Sequence, residues 1–177
     1  MPNAPVTACI ALGSNLGDRR AHILAAQDAI ASLPGTRLVA SSTLHETPPV
    51  GPPGQDDYLN ACLRIETSLQ PRDLLEALLS IERDRGRVRD PQKRWGPRTL
   101  DCDLILYGGL TIDEPGLTLP HPRLHQRLFV LQPLAEVASD LQVPGMDASV
   151  GLLLQRLLRQ RNAEPTPGGD SGASVAP

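Results

Sequence analysis

The sequence predicts a ferredoxin-like α+β fold, with a mainly antiparallel sheet flanked by helices. From Val6 to Tyr107 the apolar segments follow the order strand, helix, strand, strand, helix, strand, which is the split βαβ pattern. The 177 residues suffice for one domain whose core needs no disulfides. Only four residues are aromatic, so Leu, Ile, Val and Ala must build that core. We therefore expect a single domain over residues 1–162 and a tail over residues 163–177.

A short apolar run and a helical repeat define the first strand and helix. Val6 to Leu12 is rich in strand formers and is closed by a turn over Gly13 to Asp18. Apolar residues recur at helical spacing from Arg19 onward, Asp18 can cap this helix, and Pro34-Gly35 ends it. The Gly13 to Asp18 turn resembles a phosphate loop only superficially, because no GK[ST] motif follows, and we interpret it as a tight turn.

The middle of the chain predicts two strands and a second helix. Thr36 to Thr47 and Tyr58 to Ser68 are extended segments joined by a loop rich in Pro and Gly. Pro71 to Arg85 follows with apolar residues at helical spacing, and a proline is tolerated in the first turn of a helix.

After the second helix the pattern returns to a strand, Thr99 to Tyr107. Gly108-Gly109 indicates a hairpin into a further strand, Leu110 to Ile112. We expect one more helix from about Arg123 to Ala138 and a last amphipathic segment from Val150 to Leu158. The tail is rich in Pro, Gly and Ser, a composition that predicts disorder.

The charge balance excludes a basic surface over the whole protein. Net charge is −3 at pH 7, yet seven of the seventeen Lys and Arg residues fall between Arg83 and Arg98. Such focusing favours a small anionic ligand over a long polyanion, so we expect no nucleic-acid partner. The three cysteines lie scattered in apolar runs, which is typical of reduced core residues. No targeting segment or membrane span is recognised, so we expect a cytoplasmic protein with no membrane partner.

Cations and a carboxylate pair meet in the segment from Arg87 to Asp103. Gly96 and Pro97 mark the cationic part as a loop, and on the strand that follows Asp101 shares one face with Asp103, because alternate side chains point the same way. The residues expected to point into the core are Leu100, Cys102, Leu104 and Leu106. Oxygen ligands from only two residues suit Mg²⁺, which keeps positions for water and phosphate, and the arginines would hold the remaining phosphate oxygens. The segment predicts a site for a metal-bound polyphosphate; a solvated strand edge with surface arginines is the alternative.

Three aromatic residues are candidates for stacking on a flat heteroaromatic ligand. Tyr58 follows the Pro-rich loop, Trp95 lies inside the cationic loop, and Phe129 lies beside an apolar helix stripe. Such ring pairs contribute about 0.5–1.5 kcal/mol beyond the burial of area. Ordinary packing is the alternative for Tyr58 and Phe129, and it is the interpretation we adopt for Tyr107.

Four segments taken together resemble one enzyme family. They are ALGSNLGD, ETPPVGPPGQDDYLNA, RWGPRTLDCDLILYG and LPHPRLHQRLFVLQPL, and they lie between Ile10 and Leu141. In this order they resemble 6-hydroxymethyl-7,8-dihydropterin pyrophosphokinase of folate biosynthesis. The resemblance implies a ferredoxin-like αβα sandwich and transfer of the pyrophosphoryl group of ATP to the hydroxymethyl oxygen of the pterin, with release of AMP.

The resemblance also implies roles for particular residues. Two Mg²⁺ ions would be bound by Asp101 and Asp103. The catalytic loop and phosphate site would include Arg87, Arg94, Trp95 and Arg98. The pterin pocket would be formed by Thr47, Pro48, Pro49, Val50, Tyr58, Asn60 and Phe129. The residues around ATP would be Glu82, Arg89, Leu104, Thr118, His121 and Arg127.

Other interpretations of these patterns stay open. A nucleic-acid-binding ferredoxin-like module could use the arginine loop, although no RNP1-like run of aromatics is present. A relative that binds nucleotide without catalysis is a further possibility. Glu82 borders the site or lies on a wet helix edge, and His121 starts a helix or contacts phosphate. We expect the working form to be a monomer.

Overall fold

The described part of the chain forms a central sheet of five strands. A computed structural model describes residues 4–88 and 96–163. The strands are β1 (Val6–Ser14), β2 (Thr36–Ser41), β3 (His45–Thr47), β4 (Tyr58–Thr67) and β5 (Asp101–Tyr107). Their order is β2-β4-β1-β5, β3 also pairs with β4, and every pairing is antiparallel. This is the split βαβ topology, so the predicted fold class is confirmed.

Among the residues that the structure describes, four α-helices cover the two faces of the sheet. They are α1 (Arg19–Ala31), α2 (Pro71–Asp84), α3 (Leu128–Ala138) and α4 (Val150–Ala163). Helices α1 and α2 pack on one face and form the first core, which contains Ile10, Leu12, Leu63, Ile23, Leu74 and Leu78. Helices α3 and α4 pack on the other face and form the second core, which contains Cys9, Cys62, Ile105, Leu131, Leu134 and Leu153. Because successive residues of β1 and β4 alternate between two apolar layers, the result is an αβα sandwich.

The predicted helix starts agree with the structure to the residue for α1 and α2. Asp18 caps α1, and its carboxylate accepts a hydrogen bond from the Ala21 N–H at 3.0 Å. Pro71 occupies the first turn of α2. Gly86 follows α2 with φ of 78°, a conformation that favours glycine and turns the chain into the cationic loop.

The predicted hairpin after β5 is wrong. Gly108 donates its N–H to the carbonyl of Thr7 at 2.7 Å, so it stays paired with the β1 edge and the chain then leaves the sheet. The next strand, β6 (Ile112–Glu114), pairs instead with β7 (Leu117–Leu119) in a separate two-stranded sheet. Another short pair, β8 (Gln142–Val143) and β9 (Ala148–Ser149), precedes α4.

The predicted helix from Arg123 to Ala138 is shorter than expected. A single 3₁₀ turn forms over Leu124–Gln126, and Arg127 then adopts an extended backbone with φ of −110° and ψ of 96°. The α-helix therefore begins only at Leu128, because an extended residue interrupts the helical repeat. At the other end of the chain, α4 runs to Ala163 rather than stopping at Leu158.

A β-bulge changes the direction of one predicted core residue. The pairing of β1 with β5 shifts between Cys9 and Ile10, which leaves Ile105 without a partner in the register. Leu104 faces the first core, whereas Leu106 lies in the second core. The expectation that Leu106 shares the face of Leu104 is wrong, because the extra residue reverses the alternation.

Some predictions concern residues that the structure does not describe. Arg89, Arg94 and Trp95 lie outside the described residues, as does the predicted tail beyond Ala163. Within residues 4–88 and 96–163 no helix is long and apolar enough to cross a membrane. Cys9, Cys62 and Cys102 are buried free thiols.

Candidate active site

One cavity collects most of the predicted site residues. It has a volume of about 340 Å³, which suits a small-molecule ligand, and it lies where the ends of β1, β4 and β5 meet the start of α3. The predicted residues that line it are Thr47, Pro48, Val50, Tyr58, Asn60, Arg87, Arg98, Asp101, Asp103, His121, Arg127 and Phe129. Residues separated by up to 82 positions in sequence thus line one cavity.

The carboxylate pair lies on β5 and faces this cavity. Asp101 and Asp103 alternate with Cys102 and Leu104, which are buried in the first core, so the strand presents both acids to the same side. Burial, and next the charge of Asp101, raises the pKa of Asp103 to about 7. The charged form of Asp103 is therefore disfavoured in the empty cavity, chiefly by burial and next by repulsion from Asp101.

Arginines neutralise Asp101 from two directions. Arg87 forms an ion pair with the Asp101 carboxylate, and Arg98 donates to the other carboxylate oxygen at 2.7 Å. Burial opposes the charge of Asp101, but these two guanidinium groups outweigh it and lower the pKa of this carboxyl. The negative charge of Asp101 is thus compensated by two arginines. Among the described contacts of Asp103, no arginine lies at hydrogen-bonding distance.

Glu82 supports Arg87 from below the cavity. Only 1% of Glu82 is exposed, and its carboxylate accepts from Arg87 at 2.6 Å and from the backbone N–H of Cys102 at 2.8 Å. The wet-helix-edge interpretation of Glu82 is therefore wrong. The carboxylate contacts the guanidinium of Arg87 and the backbone of β5, and so fixes where Arg87 meets Asp101.

A polar amide and an aromatic ring form the other end of the cavity. Asn60 is buried on β4, and its amide donates to the Thr47 hydroxyl on β3 at 2.7 Å. Tyr58 lies two residues earlier on the same strand and also lines the cavity. Tyr58 pairs with Thr47 on β3, so the loop over residues 48–57 begins and ends beside the cavity.

Gly13 separates the two ends of the cavity. It pairs with Asn60 on one side and with Asp101 on the other, so the amide and the carboxylate lie on the strands that flank β1. A Cβ atom at Gly13 would stand 3.4 Å from the Asn60 Oδ1, 3.7 Å from the Tyr58 ring and 4.0 Å from the Asp101 Cβ. The missing side chain keeps open the space that joins the two ends.

The entry to α3 closes the cavity from the opposite side. Phe129 lies in the first turn of α3, and the guanidinium of Arg127 lies 5.6 Å from the centre of its ring. Burial lowers the pKa of Arg127, while the nearby charge of Asp103 acts in the opposite direction. Arg127 therefore lies over the ring of Phe129, and its charge is also attracted by the carboxylate of Asp103.

His121 is a neutral hydrogen-bond donor at this wall. Its Nδ1 accepts from the backbone N–H of Arg123 at 3.2 Å, so the ring proton of the neutral form is on Nε2. Burial, together with the charges of Arg127 and Arg123, lowers the pKa of His121 to about 4. The backbone N–H of His121 also donates to Ile105 at 3.0 Å, which ties this loop to β5.

Four of the predicted site residues that the structure describes do not line the cavity. One is Glu82, which lies below it in contact with Arg87. The side chain of Leu104 is 5% exposed and packs in the first core. Thr118 is exposed on β7, where its hydroxyl donates to Asp113 at 3.4 Å. Pro49 is half-buried beside Pro48 and Val50, which do line it.

The structure adds cavity residues that the sequence analysis did not identify. They are Ala11, Leu12, Gly13, Arg123 and Val130. The sequence analysis interprets Gly13 as part of a tight turn, whereas the structure places it in β1. A glycine in a strand can indicate that a ligand or another backbone comes close to it, and this signal could have identified Gly13. Arg123 follows His121 by two residues, and no periodic pattern in the sequence indicates that it lines the cavity.

Comparison with known proteins places this site in a family. The family model for 7,8-dihydro-6-hydroxymethylpterin-pyrophosphokinase matches residues 9–139. The chain belongs to this family. It is therefore a pyrophosphokinase, and the resemblance inferred from the four sequence segments is confirmed. All cavity residues named above fall inside the matched range.

Individual relatives agree with the family model. The 2-amino-4-hydroxy-6-hydroxymethyldihydropteridine pyrophosphokinase of Pseudomonas aeruginosa is 50% identical over 135 residues, covering 76% of this chain and 82% of the relative. The Haemophilus influenzae protein of the same name is 47% identical, covering 85% of this chain and 92% of the relative. The Bacillus subtilis protein of that name is 39% identical, covering 88% and 92%.

A solved structure supports the fold at low sequence identity. The crystal structure of a Plasmodium falciparum HPPK-DHPS triple mutant superposes with a TM-score of 0.72 at 12% identity. The match covers 91% of this chain and 45% of the Plasmodium chain. Such a likeness shows the fold, and this chain spans slightly under half of that larger protein.

Proposed function

We propose that the cavity binds 6-hydroxymethyl-7,8-dihydropterin and ATP side by side and transfers the pyrophosphoryl group between them, a step in folate biosynthesis. The hydroxymethyl oxygen forms a bond to the β-phosphorus, and the bond from that phosphorus to the oxygen bridging it to the α-phosphorus breaks. AMP departs and the hydroxyl proton is released. Negative charge spreads over several phosphate oxygens, so positioning and charge neutralisation are most of the catalytic task.

One observation carries this proposal, namely the alignment of Asn60, Gly13 and Asp101 across three neighbouring strands. Asn60 offers both a donor and an acceptor for the polar edge of a pterin. Asp101 lies two strands away, a spacing of about 10 Å. A bicyclic ring at the amide end thus directs a hydroxymethyl group over Gly13 toward the carboxylates and arginines.

The carboxylate pair fits a hard divalent cation. Burial and the charge of Asp101 raise the pKa of Asp103 to about 7, and a bound cation would offset both the burial and the repulsion between the two carboxylates. Among the described residues no cluster of three or more His, Cys, Asp or Glu side chains occurs that could hold a metal by itself. Water and phosphate oxygens would complete the shell, which is how Mg²⁺ is usually bound. When bound by Asp101 and Asp103, two Mg²⁺ ions would supply charge neutralisation at the phosphates and polarise the attacking oxygen.

The cationic side chains would hold the triphosphate. Arg87 and Arg98 already point into the cavity, and a guanidinium matches phosphate oxygens as it matches carboxylate oxygens. His121 would donate from Nε2 and Arg127 would add charge near ATP. Glu82 would act by positioning Arg87. The residues assigned to the same loop and phosphate site by the family resemblance are Arg89, Arg94 and Trp95.

The pterin would occupy the end formed by the amide and the rings. Tyr58 and Phe129 would stack on the flat ring, and Asn60 would read its polar edge. Apolar and backbone contacts would come from Thr47, Pro48, Pro49 and Val50. Because α3 carries Phe129 and β4 carries Tyr58, the distance between the two rings depends on the packing of α3 on the sheet.

We further propose that the enzyme works in the cytoplasm as a monomer. Three buried free thiols are typical of proteins kept in a reducing compartment. The described walls that would bind the pterin and the triphosphate belong to one chain, which supports catalysis by a single copy.

Product analysis tests the proposed reaction. The purified chain is incubated with ATP, hydroxymethyl dihydropterin and Mg²⁺, and products are separated by chromatography. We expect AMP and the pterin diphosphate in equal amounts, only when all three components are present. Formation of ADP, or AMP release that does not depend on the pterin, would contradict the proposal.

A further inference from the structure

A glutamate in the last turn of α3 is bound to the segment that leads into β3. The Glu136 carboxylate accepts from the backbone N–H of Thr43 at 2.7 Å, from the Thr43 hydroxyl at 2.9 Å and from His45 Nε2 at 2.5 Å. Burial opposes the charge of Glu136, but these hydrogen bonds outweigh it and lower the pKa of this carboxyl. We call Thr43, His45 and Glu136 the β3–α3 clamp; none of the three is among the described residues that line the cavity.

The geometry of the β3–α3 clamp does not provide a proton relay. His45 contacts Thr43 and Glu136 through the same ring nitrogen, Nε2, at 3.3 Å and 2.5 Å. A relay from a hydroxyl through a histidine to an acid uses the two ring nitrogens separately. The clamp is therefore a connection between a strand and a helix rather than a second catalytic centre.

The strand side of the clamp belongs to the wall of the cavity that carries the buried amide. His45 pairs with Asn60, and Thr47 pairs with Tyr58. The Asn60 amide also donates to the Thr47 hydroxyl at 2.7 Å. His45 and Thr47 point to the same face of β3, because alternate residues of a strand share a face. The clamp thus holds the strand that supports the amide and the tyrosine ring.

The helix side of the clamp carries the other ring of the cavity. Phe129 and Glu136 are seven residues apart, or about two turns, so both lie along one face of α3. The first turn of α3 has little support within the helix. Its N-cap residue, Arg127, supplies no side-chain cap, and Pro133 has no N–H to donate to the Phe129 carbonyl. The position of the Phe129 ring therefore depends on contacts between α3 and the strands.

We infer that Glu136 is a positioning residue for the pterin, because the β3–α3 clamp sets the distance between the rings of Phe129 and Tyr58. This inference rests on the proposed function, since it takes the pterin to stack between these rings. Attraction between stacked rings falls steeply with distance, and a gap of about 0.5–1 Å loses about a quarter to a half of it. A small displacement of α3 therefore weakens stacking, although the clamp itself lies outside the cavity lining.

A double-mutant cycle of binding measurements on the intact chain tests this inference. The dissociation constant of hydroxymethyl dihydropterin is measured by calorimetry with Mg²⁺ and a saturating non-hydrolysable ATP analogue. Glu136→Ala should raise this constant about threefold or more. In a Phe129→Leu background the same substitution should raise it less than about 1.5-fold, because the ring that the clamp positions is already absent. The dissociation constant of the analogue alone should change less than about twofold.

Two further variants separate positioning from folding. Glu136→Gln keeps the shape of the side chain but sets an amide NH₂ against one of the donors, so it should give the same pattern at smaller size. Asp140→Ala is a matched control, because Asp140 follows α3 and accepts from Arg64 on β4 at 3.4 Å, beyond the pterin wall. It should leave the pterin dissociation constant within about 1.5-fold of wild type. Melting temperatures show whether each variant is folded.

Each outcome bears on the inference separately from the proposed function. An unchanged pterin dissociation constant in folded Glu136→Ala or Glu136→Gln protein overturns the inference. Equal increases with Phe129 and with Phe129→Leu also overturn it, because Glu136 then acts independently of the ring. An increase of the same size in Asp140→Ala assigns Glu136 a general structural role and overturns it as well. A wild-type protein that binds no pterin or releases no AMP instead overturns the proposed function.

Discussion

The Arg98 guanidinium donates to the Asp101 carboxylate at 2.7 Å, so a predicted phosphate ligand and a predicted metal ligand are partners in the same ion pair. Under the proposed function both groups would take new partners once ATP and Mg²⁺ bind, because a carboxylate oxygen that coordinates a metal is less available to an arginine. The ion pair would thus hold both side chains near their proposed binding positions before the substrates arrive.

Replacing Arg98 by lysine tests the role of its planar guanidinium. Lysine keeps the charge but loses the bidentate geometry that suits phosphate oxygens. We expect the single-turnover rate to fall at least about tenfold, while the pterin dissociation constant changes less than about threefold. Arg37→Lys is a matched control, since Arg37 pairs with Glu66 in an exposed ion pair on β2. Equal rates for Arg98→Lys and wild type would remove Arg98 from the catalytic set.

The substitution Asp103→Asn should lower activity without lowering stability. The amide removes one of two neighbouring negative charges, so the melting temperature without Mg²⁺ should stay the same or rise. Turnover with Mg²⁺ should fall about a hundredfold or more, because a metal ligand is lost. Asp28→Asn, on the exposed face of α1, should change neither quantity. A clear loss of stability in Asp103→Asn would speak against an uncompensated charge at this position.

Glu82→Ala should destabilise the fold through Arg87. The side chain of Arg87 is only 8% exposed, so removing Glu82 leaves a buried guanidinium with one fewer partner. Breaking a buried pair in this way costs about 3 kcal/mol of unfolding free energy, measured by urea denaturation. Glu76→Ala on the exposed face of the same helix should cost less than about 0.5 kcal/mol. Equal costs for the two variants would show that Glu82 does not support Arg87.

Phe129 should contribute to pterin affinity through its ring. Phe129→Ala removes a cavity-lining ring that also packs against the second core, so it mixes stacking with packing. Phe129→Leu keeps apolar bulk and removes only the ring. We expect the pterin dissociation constant to rise at least about threefold in both variants, measured with the ATP analogue present. An unchanged constant in Phe129→Leu would reduce Phe129 to a packing residue.

His121 should make stability depend on pH. Its pKa in the folded chain is about 4, below the ordinary value of 6.5, so between those values the unfolded chain binds a proton that the folded chain does not. The contribution of His121 to stability is therefore complete above pH 6.5 and is lost as the pH falls toward 4. The difference in unfolding free energy between wild type and His121→Asn should decrease across this window in urea denaturation. A difference that stays constant would show that His121 titrates normally.

Local patterns in the sequence determined the order of elements and the chemistry of the site. Period-two alternation placed Asp101 and Asp103 on one face of a strand, and the cap at Asp18 marked a helix start, because both depend on neighbours in the chain. Tyr58 and Phe129 could be identified as candidates for stacking from their positions, but Asn60 could be assigned only by family resemblance. That the three lie close together is set by strand order and by the packing of α3.

Tertiary structure alone decided how the parts of the site contact one another. The bulge at Ile105 moved Leu106 to the other core, because the register of β5 responds to pairing with β1. The extended backbone at Arg127 delayed the start of α3. Glu82 became a buried partner of Arg87, and Asn15, placed by the sequence in a simple turn, became a bridge from Arg98 to Gln55. Hydrogen bonds between residues 40 or more positions apart leave no periodic trace in a sequence, because they form only when the fold brings the two segments together.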